Sequence, residues 1–123
     1  MRHVNPDSFL IVVVAISTAS GLGLILAPGP LHWLFGLEAS AAGDFVAREL
    51  GAAFLGLAVI FWGTRDAWDL PRTVLLGGLV HHSFGLVIAL GAVWNGVLSG
   101  GGWVLALIHF LLANGFAWLR HAK

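Results

Sequence analysis

Four apolar runs, Ser8–Ala27, Phe45–Gly63, Thr73–Val97 and Gly102–Leu119, take up most of this 123-residue chain. A helix of about 20 residues rises about 30 Å, the thickness of bilayer hydrocarbon, so each run is long enough to cross a membrane once. Composition agrees, with 59% hydrophobic residues, 10% charged residues and a mean hydropathy of +0.92. Such a chain belongs to the integral membrane class. The expected fold is therefore all-α: a single-domain, four-helix antiparallel transmembrane bundle with a short interfacial segment after the first span.

Charge and residue usage then exclude whole classes of chemistry. Six acids balance six Lys and Arg residues, which suggests neither a nucleic-acid partner nor strong steering to anionic lipid. There is no cysteine, and this removes disulfides, thiolate catalysis, Cys-ligated zinc, iron–sulfur clusters and covalent haem attachment. There is no tyrosine either, so proton chemistry is confined to His, Asp, Glu and water.

The first run exceeds the roughly 7–15 residues of a signal-peptide core and reads as a retained span. With four spans, Arg2, Arg65, Arg72, Arg120 and Lys123 share one side of the membrane, while Arg48 lies on the other. Positive residues collect on the cytoplasmic side, which places both termini inside and the 28–44 and 98–101 connections outside. A multi-pass protein of a bacterial cytoplasmic (inner) membrane is the expected localisation.

In the longer outer connection Pro28-Gly29-Pro30 stops the first helix, and the aromatic run Leu31–Leu37 suits a short segment at the headgroup level. The shorter one, Leu98-Ser99-Gly100-Gly101-Gly102, makes spans three and four antiparallel neighbours. Trp94 and Trp103 on the outer side, with Trp62, Trp68 and Trp118 on the inner side, read as interfacial anchors.

Small residues recur at helical spacing and predict close helix approach along Ala15/Ala19/Gly23, Ala52/Gly56 and Gly77/His81/Gly85. This row turns His81 toward a neighbouring helix, with His82 as the alternative on the face of Gly78. His81 lies nine residues beyond Arg72, about 14 Å deep, and His109 seven residues beyond Gly102, about 10 Å deep. Ionisable groups at such depths mark a functional site or a specific helix contact. An antiparallel bundle would gather Arg48, Glu49, His81 or His82, and His109 into a polar pocket in its outer half, with Asn95 above and Asn114 below.

Several roles are open for these residues. Arg48 either snorkels to headgroups or anchors a carboxylate, phosphate or quinone oxygen. Glu49, about 100° around the helix from Arg48, is either a favourable charge near a helix N-terminus or an acid–base or metal-binding group. The histidines either make interhelical hydrogen bonds that fix packing, contact the polar end of a lipid-like or quinone-like ligand, ligate haem b or a metal through His81 or His82 and His109, or relay protons. No spacing supports a serine triad, and Gly100–Gly102 lacks the strand and lysine of a phosphate loop.

The order GLGLILAPGPLHWLFGLE, ARELGAAFLGLAVIFWGTRD, LLGGLVHHSFGLVIAL and a His-bearing last span ending ANGFAWLR resembles small four-span bacterial membrane proteins of the DoxX-like group. The resemblance covers most of the chain and rests on a Pro-terminated first span and on Arg48 before a Gly/Ala-rich second span. It implies a four-helix transmembrane bundle, with links in some relatives to thiol or sulfur oxidation or to partnership with other membrane proteins. It transfers no catalytic residue, and the lack of cysteine argues against a thiol role here. The leading expectation is a binding or accessory membrane protein with a lipid-like or quinone-like ligand held by Arg48, Glu49, His81, His82, His109 and Asn114, working as a homo-oligomer or as a subunit of a larger membrane complex. The alternative is a haem- or metal-dependent redox enzyme using His81 or His82 with His109.

Overall fold

The computed structural model describes residues 6–65 and 71–121. They form five helices: α1 (Pro6–Leu26), α2 (Pro28–Phe35), α3 (Ala41–Thr64), α4 (Arg72–Trp94) and α5 (Gly101–His121). No strand occurs among the described residues. Helices α1, α3, α4 and α5 are each long and apolar enough to cross a membrane, so the chain is an all-α, multi-pass membrane protein, as expected. Arg2, Trp68 and Lys123, invoked for topology and anchoring, lie outside the described residues.

Two helix ends differ from expectation for local reasons. Helix α3 starts at Ala41, ahead of Phe45, because the Ser40 side chain accepts a hydrogen bond from the Gly43 N–H at 3.0 Å and caps the first turn. Helix α4 stops at Trp94, short of Val97. There Gly96 adopts φ +71°, and the Gly96 and Val97 N–H groups return to the Val93 and Ala92 carbonyls at 3.1 and 2.8 Å. This is a Schellman closure, which requires a left-handed residue just past the helix. Gly36, at φ +73°, ends α2 identically, with Gly36 and Leu37 bonded back to Trp33 and His32 at 3.1 and 2.8 Å.

The chain divides into two compact units. In the first, α1 and α3 run antiparallel, with Gly21 beside Gly51 and Arg48 beside Ile25. A Cβ on Gly51 would lie 2.7 Å from the Gly21 carbonyl oxygen, so glycine is what lets the two backbones approach. The apolar side chains Leu10, Val13, Ala47, Ala58 and Phe61 are buried, and so is Ser17. The rows Ala15/Ala19 and Ala52/Gly56 are exposed, which corrects their expected role at the helix contact. The buried α1 face is instead Leu10, Val13, Ser17 and Gly21, which recur at steps of three and four residues, the period of one helix face.

The second unit comprises residues 32–38 together with α4 and α5. The tight turn after Trp94 makes α4 and α5 antiparallel, with Val93 beside Gly102, Gly85 beside His109 and Gly78 beside Phe116. At the turn, Ser99 donates its N–H to the Phe35 carbonyl at 2.8 Å and its hydroxyl to the Leu34 carbonyl at 3.3 Å. The end of α2 is thereby tied to the α4–α5 connection. Helix α2 is the short segment foreseen after the first span, with Trp33 exposed and His32 buried.

Candidate functional site

Helix α4 buries Leu75, Gly78, His82 and Ala89, and α5 turns Ala106, His109, Leu112, Ala113 and Phe116 toward the interior of their unit. Each set falls on one side of its helix, as spacings near the 3.6-residue period and its multiples require. The consequence is that His82 and His109, 5% and 8% exposed, meet between the helices. Their Nδ1 atoms lie 3.1 Å apart, a hydrogen bond in which one ring donates and the other accepts.

Aromatic rings and missing side chains build the seat for this pair. His82 stacks on Phe116, with centroids 5.6 Å apart and planes 18° from parallel. A Cβ on Gly85 would lie 2.5 Å from His109 Nδ1, and one on Gly78 would lie 2.5 Å from Phe116 Cζ. Both rings thus occupy space that only glycine leaves open. His81 is half-buried and edge-on to its companions, with centroids 4.9 Å from His82 and 6.0 Å from His109.

The structure brings His81, His82 and His109 together and corrects which of the adjacent pair is central: His82, not His81, lies innermost. The expected Gly77/His81/Gly85 row fails at Gly77, where an added Cβ would meet nothing within 4 Å. The working face is Gly78, His82 and Gly85. Phe116 escaped sequence reasoning altogether, although it lies seven residues beyond His109, two turns along the same face.

Asn114 does not join the histidines. It lies on the exposed side of α5, where its Nδ2 donates to the Phe110 carbonyl at 2.7 Å. Arg48 and Glu49 belong to the other unit, and both are exposed. The Arg48 Nε donates to the Ile25 carbonyl at 3.3 Å, so the guanidinium covers an end carbonyl of α1. Asn95, expected above a polar pocket, caps α4 by donating its Nδ2 to the Gly91 carbonyl at 2.8 Å. Arg65 rests over the Trp62 ring, 3.5 Å from its centroid, and donates to the Trp62 carbonyl at 2.9 Å, which gives the C-terminal end of α3 a cation–π cap.

The histidine geometry does not fit haem ligated between His82 and His109. Two nitrogens on opposite sides of a metal, with bonds of about 2.0–2.1 Å, stand about 4 Å apart. The 3.1 Å between these Nδ1 atoms is too short for that, and the rings are seated against Gly85 and Phe116. Nor does any set of three or more His, Asp or Glu among the described residues have the arrangement to hold a metal ion, so His81, His82 and His109 converge as rings rather than as a ligand set.

Compared with family models, with curated proteins and with solved structures, the chain matches none.

Proposed function

We propose that this chain is a non-catalytic binding or accessory protein of a bacterial cytoplasmic membrane, with both termini inside, in which the histidines clamp α4 to α5 and Arg48 offers the polar contact for a lipid-like or quinone-like ligand. The observation that carries the reading is the His82–His109 bond, which commits the facing ring nitrogens to each other. Arg48 supports it from the other side. A guanidinium has five N–H donors in a planar fork, and the Ile25 carbonyl takes one of them, leaving others for a phosphate, carboxylate or quinone oxygen. Its place at the same end of the unit as the C-terminus of α1 suits a ligand whose head lies near the outer membrane surface. The resemblance to DoxX-like proteins, some of which partner other membrane proteins, belongs to the same proposal.

The test is extraction and mass spectrometry of lipids and quinones that co-purify with the detergent-solubilised protein, together with a visible spectrum before and after dithionite. A stoichiometric organic ligand that falls at least about tenfold in R48A and is retained in R48K is the expected result, a loss of about 1.4 kcal/mol or more of binding. A Soret band that disappears in H109A would overturn the reading in favour of a haem redox protein.

A further inference from the structure

Asn114 is a primary amide on the exposed side of a membrane-spanning helix, seven residues and about 10 Å from its end at His121. A side-chain amide has two N–H donors and an oxygen with two lone pairs, and one N–H of Asn114 goes to the Phe110 carbonyl. The other N–H and the Oδ1 are left facing outward in a region where hydrocarbon offers no hydrogen bond. Polar groups so placed are stabilised by pairing across a helix contact. Around Asn114, the exposed side chains Trp103, Leu107, Phe110, Leu111 and Trp118 fall within an arc of about 100° along α5.

We infer that this outward stripe of α5 is the contact surface for a second copy of the chain, with the two Asn114 amides hydrogen-bonded across a two-fold axis. The group left over on Asn114 is one donor beside one acceptor, which is its own complement when rotated by a two-fold operation. From Gly101 to Leu119 the helix carries no Asp, Glu, Lys or Arg, so two copies meet there without like-charge repulsion. His109, the ionisable residue in that stretch, is turned inward onto His82. The inference does not rest on the ligand reading: a monomer that keeps its ligand overturns this inference alone.

Because the chain has no cysteine, single introduced thiols report only on their own position. Oxidative cross-linking in membranes is expected to dimerise L107C, on the stripe and with Asn114 intact, and to leave V87C, on the exposed side of α4, monomeric. Energy-transfer measurements of self-association in vesicles are expected to show a dissociation constant raised about 3- to 30-fold in N114L, as loss of an interhelical hydrogen bond predicts, with N114Q closer to the parent. Helical circular dichroism is expected to be unchanged, since the position is exposed. Equal cross-linking of L107C and V87C, a chain monomeric at every lipid dilution, or unaltered association of N114L would each overturn the inference.

Discussion

Replacing His82 and His109 by Phe, singly and together, isolates the bond between them, because Phe retains an aromatic ring in each seat. The Nδ1 atoms are 3.1 Å apart, within the range of a full hydrogen bond, and both residues are at least nine-tenths buried. Each single variant leaves the other imidazole without its partner, which costs about 1–3 kcal/mol for a buried polar group. The double variant removes both polar groups at once. Its destabilisation should therefore fall short of the sum of the singles by the coupling energy, about 0.6–2 kcal/mol for an interhelical hydrogen bond in a membrane protein. Equilibrium unfolding in mixed micelles of a mild detergent and dodecyl sulfate, followed by tryptophan fluorescence, measures all four corners of this cycle. Additivity within about 0.3–0.5 kcal/mol, the behaviour of independent sites, would refute the claim that the two rings are bonded to each other.

The same assay tests which face of α4 meets α5. G85A should destabilise by about 1–3 kcal/mol, since its methyl would enter the space of the His109 ring, whereas G77A should be neutral or stabilising by up to about 1 kcal/mol; equal effects would contradict the assignment of faces. S40A should cost about 1 kcal/mol and speed hydrogen exchange of the Gly43 amide, and an unchanged exchange rate there would argue against the cap.

Hydropathy made the four spans legible because transfer from water to lipid is a property of composition over a whole run. It is blind to backbone dihedrals, which is why the apolar Val97 extends the expected span past Asn95 and Gly96, where a left-handed glycine closes the helix. Ser40 was likewise hidden in a polar stretch whose capping bond hydropathy does not weigh. At the candidate site the sequence announces three imidazoles at membrane depth but turns His81, rather than His82, toward the neighbouring helix. Steps of four residues carry Gly77, His81 and Gly85 progressively off one face, while Gly78, His82 and Gly85 stay on it. Phe116, the ring beneath His82, looked like any apolar residue of a membrane helix. Its partner became visible only with the pairing of α4 and α5 in place.

Two imidazoles joined through like nitrogens cannot be chemically alike. When one neutral ring carries its hydrogen on Nδ1, the other must carry it on Nε2, so the far edge of the first ring is a lone pair and that of the second an N–H. The pair consequently has a polarity, and two opposite settings of it share one heavy-atom arrangement. Passing between them moves a proton on each ring: as the shared hydrogen crosses from one Nδ1 to the other, one Nε2 gains a hydrogen and the other loses one. A packing contact with a single heavy-atom arrangement thus has two proton arrangements of opposite polarity.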